Sequence, residues 1–279
     1  KNQTYLSAST TNSGGILPNN SYNRYNFTAR NTTHFLNDKL TLDIGAQYIV
    51  QNNKNMVSQG QYYNPLPSLY LFPRGDNFDE IRLYERYNTN YGYMEQYWPY
   101  GDASLSLQNP YWIQNRINRT SNKKRYMMNA SLKWQATDWL NVVGRVNLDN
   151  SDYRNKNEKS ASTLTTFCGV SGGFEDAMRQ ERSLYADFLA NIDKTFGDFH
   201  LTANVGASIY HTSMDQLYIA GDLVIPNFFQ INNINFSANY KPDPTGYEDE
   251  IQSIFASAEL SWKNQLYLTV TGRNDWDSK

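Results

Sequence analysis

Between positions 40 and 50 the chain reads Leu-Thr-Leu-Asp-Ile-Gly-Ala-Gln-Tyr-Ile-Val, with apolar and polar side chains in alternation. A period of two places one set of side chains on each face of a β-strand. This run is close to the roughly 9–11 residues that a tilted strand needs to cross a bilayer. The apolar face therefore either covers the core of a soluble protein or contacts lipid. The pattern returns in six later segments: Tyr126–Trp134, Leu140–Leu148, Leu184–Ile192, Leu201–Ile209, Ile254–Trp262 and Leu266–Val270.

The composition of the 279 residues leaves both options open and excludes others. Mean hydropathy is -0.70. The sequence contains no run of about 18 apolar residues that would predict a membrane-spanning helix. Aromatic residues make up 15% of the chain, which fits the aromatic girdles of outer-membrane barrels as well as a Tyr-rich binding surface. A net charge of -2 and the absence of a basic block argue against nucleic-acid binding.

The reactive residue types form no catalytic or metal-binding pattern. The single cysteine, Cys168, has no partner for an intramolecular disulfide, and no pattern supplies it with a base. The histidines at positions 34, 200 and 211 lack metal-ligand spacing. No phosphate-binding loop, dinucleotide fingerprint or GxSxG motif is present. The sequence therefore predicts a protein that is not an enzyme and needs no cofactor.

The alternating segments and the turn residues between them predict nine strands joined by connections of two kinds. Short turns at 34–38, 136–138, 196–197 and 263–264 contain Asn, Asp or Gly, as tight hairpins prefer. The segment 12–20 is of modest length, whereas 53–123, 154–181 and 213–249 are long. Short and long connections alternate strictly along the chain, which puts the short turns on one rim and the long loops on the other. This arrangement is typical of outer-membrane barrels and not of Greek-key sandwiches. The predicted strands are 3–11, 21–33, 39–52, 124–135, 139–153, 182–195, 198–212, 250–263 and 265–275.

The two faces of the predicted strands differ in charge. One face of the fourth and fifth strands carries only uncharged side chains, whereas the other carries Asn129, Lys133, Arg145 and Asp149. A Lys or Arg at the bilayer midplane on a lipid-facing position costs about 2–4 kcal/mol. We therefore expect an antiparallel, up-and-down transmembrane β-barrel with lipid on the apolar face and a wet lumen on the polar face. Aromatic residues near the short turns predict one interfacial girdle: Phe35, Trp134, Trp139, Phe196, Phe199, Trp262 and Tyr267.

The longest connection, 53–123, is rich in aromatic residues, so we expect it to be structured rather than disordered. Short helices are predicted at 77–87 and at 174–182. Aromatic rings stack on sugar rings or peptide side chains, and Arg offers a fork of donors to carboxylates or hydroxyls. Packing of the loops against one another is the alternative role for these rings. The candidate contacts for ligand or lid are Arg74, Tyr84, Tyr97, Trp98 and Trp112.

Several segments resemble the SusC/RagA-type TonB-dependent transporters of Bacteroidota. The resemblance implies an outer-membrane barrel of 22 strands with an N-terminal plug in the lumen. Residues 1–279 are then a partial barrel domain, with the plug, the TonB-contacting segment and the remaining strands expected beyond the two ends of this sequence. The segments that carry the resemblance are Tyr5–Ser7, Gly15–Asn19, Tyr25–Phe27, Asn64–Leu66, Leu71–Gly75, Asn109–Trp112, Trp139–Leu140, Gly144–Val146 and Tyr267–Trp276.

The same resemblance implies a function and partners. Family members import oligosaccharides or peptides, are energised by the TonB–ExbB–ExbD complex, and work with a SusD-like surface lipoprotein that closes the barrel from outside. We expect the long loops, chiefly 53–123, to bind ligand and dock that lipoprotein. A passive porin and a soluble glycan-binding β domain remain the alternatives. The sequence does not distinguish a glycan ligand from a peptide.

Overall fold

The computed structural model describes residues 1–236 and 242–278. It forms one antiparallel sheet of nine strands, each hydrogen-bonded to its neighbours in chain order, and a separate two-stranded hairpin. The strands of the large sheet are β1 (Asn2–Gly14), β2 (Ser21–Phe35), β3 (Leu40–Lys54), β6 (Ile117–Thr137), β7 (Leu140–Lys159), β8 (Gly173–Phe196), β9 (Phe199–Asp222), β10 (Asp243–Trp262) and β11 (Leu266–Asp277). The remaining elements lie in loops: α1 (Pro65–Tyr70), β4 (Glu85–Asn88), β5 (Tyr93–Gln96), α2 (Pro110–Arg116) and 3-10 turns at Phe78–Arg82 and Ile231–Asn233.

This topology confirms the predicted up-and-down arrangement of nine strands. The short turns use backbone conformations that tight hairpins require. Lys263 and Asn264, between β10 and β11, both have positive φ, at 49° and 55°. The backbone N–H of Gln265 donates to the carbonyl of Trp262 and closes this turn, and two consecutive positive φ values match the twist of the flanking strands. Within the described residues the sheet is open, because β1 and β11 each pair on one side only.

The strands extend further toward the long loops than the sequence predicts. The connection expected at 154–181 contracts to 160–172, and that expected at 213–249 contracts to 223–242. The helix predicted at 174–182 is wrong, because these residues belong to β8. The helix predicted at 77–87 is a 3-10 turn at Phe78–Arg82 that is followed by β4. Charged cross-strand pairs such as Arg154 with Asp176 replace the apolar alternation there while the backbone ladder continues.

The register assigns each strand residue to one of two faces. Val146 lies between its Cα partners Ala130 and Ala186, in the same apolar row. We call the uncharged outward positions at the depth of Tyr126 to Trp134 the apolar band. Phe188 is 55% exposed and Val205 is 53% exposed, although both are hydrophobic. The predicted girdle residues at the short-turn rim are all exposed as well. Nothing in the described part of the chain packs on the apolar band, so it is available to lipid.

The opposite face, the polar face, is cross-linked by ion pairs between neighbouring strands. Arg30 on β2 reaches Asp43 on β3 at 2.8 Å, and Arg145 on β7 reaches Asp187 on β8 at the same distance. Such pairs satisfy charged groups that line a wet interior. Ion pairs in the outward register, such as Arg154 with Asp176 and His211 with Glu250, lie nearer the long loops than the Ala130 row does. No helix in the described residues is long and apolar enough to cross a membrane.

Buried hydrophobic residues gather only at the long-loop end of the described sheet, in two small clusters. One comprises Trp112, Ile113 and Ile117, against which Tyr63 and Tyr84 pack. Ile117 belongs to the polar-face register of β6, so the loop 55–116 folds over that face of the strand ends. The other comprises Phe174, Ile219, Leu223 and Ile234, where the segment after β9 folds back on the outward face.

Candidate ligand-binding loops and the polar cavity beneath them

Asn109 organises the loop 55–116. It is completely buried, and its Oδ1 caps α2 by accepting a hydrogen bond from the backbone N–H of Tyr111 at 2.9 Å. Its Nδ2 donates to the backbone carbonyls of Ile81 at 2.8 Å and of Tyr97 at 2.9 Å. Its own backbone N–H donates to Gln96 Oε1 at 2.8 Å. One side chain therefore ties the 3-10 turn, β5 and α2 together, and Pro110 starts the helix in a position that suits proline.

A chain of six aromatic rings runs through this loop, and we call it the aromatic run. Successive ring centroids are 5.0, 5.1, 5.2, 6.1 and 6.5 Å apart. Most of the contacts are edge-to-face or tilted, which aromatic pairs prefer to a face-to-face sandwich. The predicted residues Trp98 and Tyr84 stand at its two ends, so the structure brings them into one cluster. In order, the rings are Trp98, Tyr100, Phe72, Phe78, Tyr111 and Tyr84.

The other predicted contacts lie in different surroundings. The guanidinium of Arg86 covers the ring of Tyr97 at 3.5 Å from the ring centroid, which is a cation–π contact. Arg74 is exposed and makes no hydrogen bond or ion pair with any residue that the structure describes. It lies just after Phe72, at the edge of the aromatic run, with its guanidinium available to a ligand.

Trp112 does not fit the predicted role of a direct ligand contact. Its side chain is completely buried, and its Nε1 donates to Thr163 Oγ1 at 3.0 Å. A residue without exposed surface stabilises the loop rather than touching a ligand. Trp112 thereby joins the loop 55–116 to the connection 160–172.

A buried charged group anchors the connection 160–172. Lys159, at the end of β7, forms an ion pair with Glu175 and donates to the backbone carbonyl of Phe167 at 3.0 Å. Burial alone would lower the pKa of Lys159, but Glu175 and the hydroxyl of Tyr63 outweigh it and raise the pKa. Beside it, burial raises the pKa of the Cys168 thiol to about 11, so this cysteine is protonated and unreactive at neutral pH.

Beneath the loop lies a cavity of about 360 Å³ on the polar face, which we call the polar cavity. Two amide oxygens in it, Asn53 Oδ1 and Asn157 Oδ1, are buried and accept no hydrogen bond from the residues that the structure describes. Buried acceptors are nearly always satisfied by protein, water or ligand. The polar cavity is therefore lined by two amides whose oxygens have no donor among the described residues. Its lining includes Asn53, Arg119, Ser121, Asn155, Asn157, Glu175 and Tyr218.

The sequence interpretation missed the polar cavity because it ended the strands too early. The sequence predicts Asn155 and Asn157 in a loop, whereas both lie in β7 in the register of the polar face. Their spacing of two residues was the available signal, and it continues the polar positions of the strand below them. Arg119, which forms one wall, is held by Ser58 and by the backbone carbonyl of Met56.

Three solved structures illustrate what the chain is similar to. A structure of the RagAB peptide transporter matches with a TM-score of 0.73 and 15% identity, over 99% of this chain and 30% of that one. FpvA of P. aeruginosa, bound to heterologous pyoverdines, matches with a TM-score of 0.55 and 13% identity over 99% and 33%. The siderophore receptor PiuA of Acinetobacter baumannii matches with a TM-score of 0.51 and 10% identity, over 99% of this chain and 42% of that one. No family model and no curated protein matches the chain.

The chain spans between 30% and 42% of the length of these structures, and nearly all of it is covered. At 10% to 15% identity the likeness shows the fold. It agrees with the nine-strand register, the exposed apolar band and the resemblance described above. Residues 1–279 thus have the fold of a stretch of barrel wall from a TonB-dependent outer-membrane transporter, of which the SusC/RagA type is one.

Proposed function

We propose that the chain forms part of the wall and the extracellular loops of an outer-membrane importer that is energised by TonB. The observation that carries this proposal is the division of one nine-strand sheet into an exposed, charge-free apolar band and a polar face cross-linked by ion pairs. A bilayer on one side and a water-filled lumen on the other account for both faces. A soluble β domain would need a second layer over the band.

The proposed cargo is a peptide or an oligosaccharide, taken up with help from a SusD-like surface lipoprotein. The likeness to the RagAB peptide transporter supports a peptide. The acceptors of the polar cavity suit the N–H groups of a peptide as well as the hydroxyls of a sugar. Exposed apolar side chains on the loop 55–116 offer a surface to the lipoprotein: Tyr70 is 82%, Leu83 69% and Tyr87 61% exposed.

The requirement for TonB separates this proposal from a passive porin, which shares the strands and the loop asymmetry. The measurement is uptake of fluorescent peptides and oligosaccharides by cells that carry the whole protein, with and without a functional TonB. Import should stop when TonB is removed. Uptake that continues at the same rate without TonB would establish the porin instead.

The polar cavity provides a second test, within the chain itself. Asn53→Ala and Asn157→Ala each remove one acceptor, and each should weaken ligand binding about 2- to 10-fold, the value of one hydrogen bond. Asn52→Ala is the matched control, because Asn52 precedes Asn53 on β3 and lies in the register of the opposite face. Equal effects of the Asn52 and Asn53 variants would remove the cavity from the ligand path.

A further inference from the structure

We propose that the outward face of β1, β2, β3 and β6 is a binding site for one phosphate-bearing membrane lipid. An acyl chain lies in an apolar groove on this face, and the phosphate lies beside Lys124 at the upper end of the groove. The proposal rests on the wall fold of the chain and not on its proposed import activity.

The groove has a volume of about 610 Å³ and crosses four neighbouring strands. Typical small-molecule sites have volumes of about 300–1,000 Å³, so the groove is large enough to hold part of a lipid. Its floor is low because three neighbouring strands carry alanine there, and its sides rise at larger apolar residues. The floor is Ala8, Ala29 and Ala46, and the sides are Leu6, Phe27 and Met128.

The upper end of the groove changes from apolar side chains to hydrogen-bond donors. Tyr48 on β3 and Tyr126 on β6 are direct Cα partners and close the groove at this end. Tyr25 and Lys124 lie one outward position higher on β2 and β6, about 7 Å along the strands, and both pair with Val50. Three phenols and one ammonium therefore lie at neighbouring outward positions of β2, β3 and β6.

These four polar groups lack partners within the described chain. Neither the ammonium of Lys124 nor any of the three hydroxyls makes a hydrogen bond or an ion pair with a residue in 1–236 or 242–278. Lys124 is exposed, although Asp152 is its Cα partner on β7, because the carboxylate of Asp152 accepts from Gln180 at 2.7 Å instead. An ammonium and phenol hydroxyls are donors, and a phosphate is an acceptor.

A second groove on the same band provides an internal comparison. It has a volume of about 650 Å³ and lies between Phe188, Ile254 and Trp276. Its upper end is Gln252, and the next outward residue of β10 is Glu250. The Oε2 atom of Glu250 lies 3.6 Å from Nδ1 of His211. A carboxylate repels a phosphate, so an acyl chain resting there gains no headgroup contact. The two grooves are similar in size. The upper end of the first carries the unpaired ammonium of Lys124, whose neighbour Asp152 is hydrogen-bonded to Gln180, whereas the upper end of the second carries Glu250 and no such ammonium.

The height of Lys124 identifies the occupant as a lipid rather than a second protein. Tyrosine rings on outer-membrane barrels mark the level of the lipid headgroups. Lys124 lies one outward position above Tyr126, at the level where lipid phosphates lie. An apolar protein surface that covered the groove would leave this ammonium without an acceptor, whereas a lipid satisfies the groove and the charge together.

The test is native mass spectrometry of the full-length protein in detergent, titrated with dioleoyl phosphatidylglycerol and with dioleoylglycerol, which lacks the phosphate. The wild type should retain one phosphatidylglycerol and bind dioleoylglycerol more weakly. Lys124→Gln should weaken phosphatidylglycerol binding about fivefold, the effect of about 1 kcal/mol for one basic residue near a lipid phosphate. Ala46→Phe should abolish the retained adduct, because a phenyl ring fills the groove.

Arg182→Gln is the control for surface charge. Arg182 lies in the same cross-strand row as Tyr126, but its guanidinium is hydrogen-bonded to Gln180. This variant should bind phosphatidylglycerol like the wild type. The proposal is overturned if no saturable phosphatidylglycerol adduct forms, if Arg182→Gln weakens binding as much as Lys124→Gln, or if the adduct persists in Ala46→Phe. Heat-modifiable gel migration verifies that each variant is folded, and TonB-dependent uptake is scored separately.

Discussion

Adjacent residues of β7 allow the lipid and lumen faces to be distinguished by one charge placed at one depth. Val146 is 46% exposed and lies in the row of the apolar band that contains Ala130. Ala130 is midway between the outward aromatic residues Tyr126 and Trp134 of β6, so this row is at the centre of the band. Asn147, the next residue, belongs to the polar face, and its Cα partners are Asn129 and Tyr185.

We expect Val146→Arg to destabilise the barrel strongly and Asn147→Arg to leave it nearly unchanged. An Arg on the lipid face at the bilayer midplane costs about 2–4 kcal/mol, which is roughly 30- to 900-fold in the folding equilibrium. An Arg at position 147 reaches water and lies between Arg145 and Asp149, which carry charges of opposite sign. Its effect should stay within about 0.5 kcal/mol.

The assay is urea unfolding of the full-length barrel in phosphatidylcholine vesicles, followed by tryptophan fluorescence for the wild type and both variants. Val146→Leu serves as a volume control without charge. The assignment of faces is refuted if the two Arg variants lose equal stability, or if Asn147→Arg is less stable than Val146→Arg. Equal loss would mean that β7 does not separate lipid from water.

Three further predictions concern the loops. Asn109→Ala should cost the loop 55–116 about 2–4 kcal/mol, because it removes a helix cap and leaves the carbonyls of Ile81 and Tyr97 without this donor. Limited proteolysis should then cleave within this loop while the strands stay intact, and unchanged cleavage would contradict the prediction. Since burial raises the pKa of Cys168 to about 11, iodoacetamide alkylation should rise tenfold per pH unit and level off only near that pH, whereas a plateau below pH 9 would contradict it. Trp112→Ala should unfold the loop at a cost of about 3–5 kcal/mol. Trp98→Ala should leave the loop protected from protease but weaken ligand capture. Measuring ligand affinity together with proteolysis distinguishes the two variants, and unchanged affinity in Trp98→Ala would remove that residue from the site.

The wall could be predicted from the sequence where the two faces meet different solvents. Between Leu40 and Val50 one face contacts lipid and the other water, so hydropathy alternates. Above the bilayer both faces meet water, so hydropathy no longer alternates along the strand and the pattern does not indicate one. Arg154 and Asp176 illustrate the result: they lie diagonally across β7 and β8 and form an ion pair, yet as charged residues they predict a loop.

The candidate site was partly predictable because residue type indicates chemistry but not burial. Tyr84 and Trp98 were selected as aromatic residues in a long loop, and the structure places them at the two ends of the aromatic run. Trp112 met the same criterion, but the helix that begins after Asn109 turns it into the interior. The amides of Asn53 and Asn157 give no signal of their own, because their importance depends on a cavity that residues of five strands enclose.

The wall and the loops derive their stability from different sources. The wall depends on the backbone ladder, on lipid against the apolar band and on ion pairs such as Arg145 with Asp187. The loops depend on small hydrophobic clusters, on Asn109 and on a few links such as the hydrogen bond from Trp112 to Thr163. A ligand or a lipoprotein that contacts the loops can therefore reorder them at a cost of a few hydrogen bonds, while the register of the wall stays fixed. The proposed import through a constant pore requires this separation, because the closure would have to change while the wall keeps its seal against lipid.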